Sequence, residues 1–217
     1  RHNSYRGDGA FGQYCLVLPD LDAVLAITSG ANDMQAVLDV VWDRLLPAMH
    51  PAALPADPPA EAALRQRLQG LSLPAPEARP VSPLAAQVSG RTYDMAESEL
   101  KIRTVRLDFT SQGGRLTVRQ GANDHSAGFN YSGYCFGESG LFAEPGHGAS
   151  VARLVAAQAA WVKEHTLRLT LRQCTAPFVF TFDFTFEADA LTMEGKVNVY
   201  FGPTQFPAIE GKARTGG

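Results

Sequence analysis

The run TLRLTLRQCTAPFVFTFDFTFEADALTMEGKVNVYF, residues 166–201, decides how this chain is read. Leu167, Leu169 and Leu171 alternate with Arg168, Thr170 and Arg172. Phe178, Phe180, Phe182, Phe184 and Phe186 alternate with Val179, Thr181, Asp183, Thr185 and Glu187. A period of two is the pattern of a strand with one buried face. A third run sets Leu191, Met193, Val197, Val199 and Phe201 against Thr192, Glu194, Lys196, Asn198 and Tyr200. The links, Cys174 to Pro177 and Ala188-Asp189, are too short for anything but antiparallel neighbours. Burying the five rings of the middle strand is worth about 10 kcal/mol, at about 2 kcal/mol each. That face must be covered, and other strands must cover it.

Working outward, the chain from Leu84 onward reads as all β. Ser89 to Met95, Leu100 to Thr110, Gly114 to Gln120, His125 to Tyr131 and Tyr134 to Glu138 are short strands broken by Gly, Ser, Asn and Asp turns. Leu100 and Ile102 share one parity, whereas Val105, Leu107 and Phe109 share the other, which predicts a bulge near Arg103-Thr104. The Ala content of Val151 to Trp161 favours helix, but its place between strands makes it a further strand. The sum is a mainly β chain: an antiparallel β-barrel of about eight or nine strands over residues 84–217, with the five Phe rings inward and no exposed edge.

The first fifty residues differ. Phe11 to Leu18 and Asp22 to Thr28 read as two strands joined by Pro19-Asp20-Leu21, apolar on both faces. Asn32 with Gln35 three positions later resembles a helix N-cap, and Met34, Val37, Leu38, Val41, Leu45 and Leu46 then recur at helical spacing up to Pro47. One helix covers one face of the hairpin, so residues 1–50 read as the terminal piece of an α/β layer structure. Residues 51–83 are a Pro/Ala-rich linker with one short helix, Ala60 to Gln69, whose Leu64, Leu68 and Leu71 form a stripe expected to dock on a neighbouring domain. The opening Arg1-His2-Asn3, without an initiator Met, reads as a cut end.

With 45% hydrophobic residues, 19% charged residues and a formal net charge of -3, the composition is that of an ordinary globular chain and gives no basic excess for nucleic acid. No apolar run approaches a bilayer span. Cys15, Cys135 and Cys174 sit at no metal spacing and read as buried reduced thiols, with a disulfide or redox role as the alternative. His2, His50, His125, His147 and His165 show no ligand pairing, so no metal and no cofactor are predicted.

Local motifs give little chemistry. Gly7-Asp8-Gly9-Ala10-Phe11-Gly12 matches a dinucleotide pattern, but a strand and not a helix follows it. Ser98-Glu99-Leu100-Lys101 has Ser-x-x-Lys spacing but enters a strand, where positions three apart face opposite ways. Arg214-Thr215-Gly216 lies in a polar tail. Asp183 and Glu187 oppose the Phe face and read as solvated outer-wall residues. No catalytic residue is assigned.

Tyr5 to Leu46, with Gly7-Asp8-Gly9-Ala10-Phe11-Gly12-Gln13-Tyr14, Val17-Leu18-Pro19-Asp20 and Val24-Leu25-Ala26-Ile27-Thr28-Ser29, resembles the C-terminal end of the serine beta-lactamase and penicillin-binding-protein-like hydrolase family. The resemblance implies a strand lining a substrate cleft, with Arg6, Gly7, Asp8 and Gly9 at the substrate-binding position. The nucleophile Ser, its Lys and the Tyr-x-Asn motif are absent from this sequence. Residues from Ser89 on are similar in layout to the lipocalin-like barrel extension of some of these hydrolases. Three functions follow as expectations: a C-terminal fragment of a serine hydrolase, not catalytic alone; an interaction or oligomerisation module; or a lipocalin-like barrel binding a small apolar ligand. The partners implied are a missing N-terminal hydrolase domain or a second copy of the chain, paired through Phe11 to Leu18 or Asp22 to Thr28, with no nucleic acid and no membrane span.

Overall fold

The computed structural model describes residues 3–73, 81–142 and 152–214. The readings placed on Arg1, His2, residues 74–80 of the linker, His147, Val151, Thr215 and Gly216 lie outside them. The chain divides into two compact units, Arg1–Pro74 and Ala75–Gly217.

In the first unit β1 (Tyr5–Gly9), β2 (Gln13–Leu18) and β3 (Ala23–Ile27) form an antiparallel meander with β2 in the centre. Helix α1 (Met34–Val40) follows, and it is Asp33 that caps it, accepting from the Ala36 amide at 3.0 Å. The expected cap at Asn32 is thus one residue early, because the carboxylate of Asp33 reaches the orphan amide. The helix widens into a π turn over Val41–Leu45 and tightens over Leu46–Ala48, where Pro47 removes a donor. Leu38, Val41 and Trp42 bury Tyr14, Leu16 and Leu18. Within this unit, and among the described residues, only that face of the sheet is covered. Tyr5 pairs across to Val17 and Val17 to Val24, and Tyr5 and Val24 on this second face are 65% and 67% exposed.

Helix α2 (Pro58–Gln69) starts at Asp57, whose carboxylate accepts from the Ala60 amide at 3.0 Å. Pro58 and Pro59 fit its first turn, which needs no amide donors. Leu64, Leu68 and Leu71, the stripe read from the sequence, are all exposed.

The second unit opens with a short helix, α3 (Leu84–Val88), then β4 (Thr92–Met95), β5 (Ile102–Phe109), β6 (Gly113–Gln120), β7 (Asn123–Asn130), β8 (Cys135–Ser139), β9 (Arg153–Lys163), β10 (Thr166–Gln173), β11 (Val179–Glu187), β12 (Ala190–Val197) and β13 (Gln205–Ala213). Ladders run β10-β11-β12-β13-β4-β5-β6-β7-β9, and β9 pairs back to β10, so nine strands close a barrel. Strand β8 pairs with the first half of β9, Cys135 opposite Ala157, while β7 meets β9 only at Asn130 and Gln158. The predicted bulge is present as a register shift between Ile102 and Thr104. Val151 to Trp161 is a strand from Arg153, as its position required.

Two features depart from the reading of the sequence, although the nine strands agree with the count of about eight or nine. Strand β12 ends at Val197, and Phe201 is exposed where the alternation put it inside. The strand that replaces the run to Phe201 is β13, whose Pro207 and sparse apolar residues hid it. Phe178, Phe180, Phe182, Phe184 and Phe186 are all buried.

Candidate functional site: the barrel interior and an outer cleft

Alternation places one side chain in two on the inner wall of each strand, and the apolar half of the sequence supplies it. From β4 and β5 come Tyr93, Ile102, Val105 and Leu107; from β6 and β7, Leu116, Val118 and Phe129; from β9 and β10, Trp161, Leu167, Leu169 and Leu171. All are buried.

The aromatic rings fall into two groups. At one end, beside α3, Tyr93 and Trp161 each lie 6.0 Å from Phe186 between ring centroids, and Phe109 lies 5.7 Å from Trp161 and 6.2 Å from Phe129. Helix α3 is fixed there by Gly90 donating to the Leu107 carbonyl at 2.8 Å and by the Phe109 amide donating to Ser89 Oγ at 2.9 Å. At the other end Leu141 and Phe142 insert behind β8. The Phe142 ring stacks on Phe182 at 4.4 Å and lies 5.3 Å from Phe180, with the backbone in the left-handed region at φ 55°. Gln173 Nε2 donates to the Phe142 carbonyl at 3.2 Å and holds the insertion in place.

This apolar interior seals off polar atoms that have no hydrogen-bond partner among the described residues: the hydroxyls of Tyr93 and Tyr131, Trp161 Nε1 and Gln173 Oε1. Burial pushes the Tyr93 hydroxyl above its ordinary pKa against the opposing pull of nearby Arg91, and burial does the same at Tyr131, where nearby Trp161 opposes the shift. An unpaired buried donor or acceptor costs about 1–3 kcal/mol. Tyr93 and Trp161 flank the same ring, Phe186, so two of these orphan groups stand at one end of the barrel. No local motif announces them, because the residues come from β4 and β9; inward parity on two strands is the one signal for them in the sequence.

Outside the wall, a cleft of about 660 Å³ is bordered by Asp94, Glu97, Ser98, Lys101, Arg103 and Arg119, with Thr104 and Arg214 beside them. Ser98 to Lys101 is a turn, the Lys101 amide donating to the Ser98 carbonyl at 2.9 Å, and not the start of a strand. Both side chains therefore border one cleft, against the expectation that they face opposite ways. Arg214 donates to Asp94 at 2.8 Å and holds its carboxyl below the usual carboxylate range. Arg119 grips Asp124 at 2.6 Å and lowers it likewise.

The four positions on β1 do not converge. Arg6 lies on the helix-covered side, its guanidinium 5.6 Å from the Tyr14 ring centroid and 2.6 Å from Asp8. Gly7 and Gly9 have the opposite parity and face the open side, where an added Cβ at Gly7 would meet nothing within 4 Å. Arg6 is thus an ion-paired edge residue. The three thiols are free, but Cys15 and Cys174 are exposed and Cys135 is half-buried, which corrects the expectation that they are buried. Cys15 falls on the uncovered face of β2, and Cys174 falls in the β10–β11 link. Asp183 is paired with Arg168 across the outer wall at 2.7 Å. No helix among the described residues is long and apolar enough to cross a membrane. Among the same residues no group of three His, Cys, Asp or Glu is placed to hold a metal.

No protein-family model and no curated protein sequence matches the chain. Solved structures do match. A Schistosoma mansoni fatty acid binding protein in complex with arachidonic acid is 12% identical, with a TM-score of 0.43, over 61% of this chain and 98% of the other. A fatty-acid-binding protein from Drosophila melanogaster brain tissue is 13% identical, with a TM-score of 0.42, over 58% and 99%. A secretary abundant heat soluble protein from Ramazzottius varieornatus is 7% identical, with a TM-score of 0.41, over 57% and 93%. At these identities and TM-scores the likeness carries no functional argument. No family model matches and none of these structures is a hydrolase, which corrects the hydrolase reading built on Tyr5 to Leu46. Two short hairpins and a helix are a common local arrangement, and that segment was about a fifth of the chain.

Proposed function

We propose that the barrel is a non-catalytic binding module for a small, mainly apolar molecule with one polar end. A single observation carries this reading: the Tyr93 hydroxyl and Trp161 Nε1 are sealed from solvent beside Phe186 in an otherwise apolar interior, with Arg91 near the one and Tyr131 near the other but no hydrogen bond of good geometry to either among the described residues. A ligand whose polar end reached them would satisfy groups that the protein leaves unpaired, while its body met aromatic and aliphatic walls. Entry requires the ring packing to give way, since the interior is lined without breaks by buried side chains.

Trp161 is its own reporter. In the full chain with Trp42→Phe, which leaves one Trp, titration with straight-chain fatty acids and alcohols is expected to shift Trp161 emission saturably. Tyr93→Phe is expected to weaken the polar-headed ligands about tenfold without lowering apo stability, since it removes an unpaired hydroxyl. Emission that does not move with any chain length, or equal affinity in Tyr93→Phe, sinks the reading.

A second reading, association with another copy of the chain, is favoured by the uncovered sheet face carrying Tyr5, Val17, Val24 and Ala26. An apolar face of this kind marks an interaction surface. Edge pairing through β2 is excluded, because both its edges are already used by β1 and β3. The open face and the free edges of β1 and β3 remain. Light scattering of the full chain is expected to give a dimer that Tyr5→Lys with Val24→Lys converts to monomer; a monomeric parent ends this reading.

A further inference from the structure

We propose that the outer cleft at the β4–β5 corner binds a compact oxyanion of the phosphate or carboxylate class, borne by a molecule other than the one in the barrel. The site does not rest on the interior reading, since its side chains come from the outer wall.

Four cationic side chains border the cleft: Lys101, Arg103, Arg119 and Arg214. Arg214 is held by Asp94 and Arg119 by Asp124, so these two are fixed in direction. Lys101 and Arg103 have no ion pair among the described residues. Glu97 is the opposing charge left on the rim, and Asp94 and Asp124 are already engaged.

The wall that presents the free cations is built and not loose. The Ala96 amide donates to the Glu210 carbonyl at 2.7 Å, the Gly121 amide to the Lys101 carbonyl at 2.9 Å, and Gln120 Nε2 to the Leu100 carbonyl at 3.0 Å. Lys101 itself sits at φ 53°, a left-handed conformation that an L residue adopts only where its surroundings hold it. Those bonds keep it there and aim the chain at the cleft. A second observation is independent of charge. Ser98 Oγ is shut off from solvent, has no hydrogen-bond partner among the described residues, and belongs to a residue that borders the same cleft. Two unpaired cations beside an unpaired hydroxyl donor form the complement of an oxyanion with several acceptor oxygens. The volume of about 660 Å³ leaves room for more than a lone ion.

The probe is inorganic pyrophosphate, titrated calorimetrically into the full chain at low ionic strength, with a parallel arm of phosphatidic acid and phosphatidylcholine vesicles. Saturable pyrophosphate binding is expected, weakened about tenfold or more by Lys101→Ala with Arg103→Ala and by added salt. Glu97→Gln, which removes the opposing charge, is expected to tighten it. Far-ultraviolet circular dichroism on each variant separates lost binding from lost fold. Vesicle binding limited to phosphatidic acid and competed by pyrophosphate identifies the source as a headgroup; pyrophosphate binding alone identifies a free anion. Unchanged affinity in the double variant, or no saturable binding of either probe, overturns the proposal.

Discussion

Gly195 shows how closely the barrel interior is specified at the level of one side chain. It lies on β12 opposite Phe182 of β11 and Phe206 of β13. A Cβ built there would fall 2.5 Å from the Phe182 ring and 3.0 Å from the Phe206 ring. Those rings stack with centroids 6.3 Å apart and planes 12° from parallel, across the gap the missing side chain leaves. The alternation in β12 requires an inward residue at that point, and only glycine fits beneath the two rings. Gly195→Ala is therefore expected to cost about 1–3 kcal/mol by overpacking. Gly121→Ala is the control, since nothing lies within 4 Å and only its φ of 61° opposes the change. Urea unfolding of both variants checks this; equal midpoints for Gly195→Ala and the parent would mean the rings separate at no cost. The ion pairs on the outer wall belong to the other extreme. Asp94 has its folded pKa depressed by Arg214, so whatever it contributes is present above the unfolded carboxylate pKa and is lost as pH falls through the lower folded value. Both side chains are more than half exposed, so that contribution is screened and small.

At the scale of elements, the sequence was legible where one face is buried and the other is wet. Strands β10 and β11 could be read residue by residue, because Leu and Phe repeat at period two against Arg, Thr and Asp. The bulge in β5 was legible for the same reason, as a break in parity. Strand β13 was not. Its inner face uses Ile209 and Gly211, with Phe206 half-buried, and Pro207 cannot donate to a ladder. What makes it a strand is its neighbours: it joins β12 to β4, with the Ala96 amide on the Glu210 carbonyl and the Arg214 amide on the Thr92 carbonyl at 2.9 Å. Local propensity is weak there and closure decides. The cleft residues were illegible for a related reason, since Lys101, Arg119 and Arg214 come from separate segments and meet only after the barrel closes. If β13 is the closing strand, a chain ended after Pro203 leaves β12 and β4 with bare edges above an aromatic core. Such a chain is expected to be recovered as aggregate, and size-exclusion chromatography giving a soluble monomer of native circular dichroism would show that closure is dispensable.

At the scale of the whole molecule, the two units solve the problem of burial in opposite ways. In Ala75–Gly217 the sheet returns on itself, from β9 through β13 and β4 to β7 and back, so that its apolar face is covered by its own opposite wall. In Arg1–Pro74 a three-stranded sheet has one helix layer over one face, and a second face with Tyr5 and Val24 in solvent. A structure that closes on itself needs nothing from outside; an open layer does. The barrel unit is accordingly expected to fold when expressed as residues 75–217, with a cooperative unfolding transition and a Trp161 emission as blue-shifted as in the full chain. The first unit expressed as residues 1–74 is expected to associate or remain partly unfolded, since burying roughly half of the large side chains of so short a chain leaves little margin over conformational entropy. Differential scanning calorimetry of the three forms makes the comparison direct. If 75–217 alone is unfolded or unfolds without cooperativity, the barrel is not self-sufficient, and its closure by ladders would have to be only one part of what holds it.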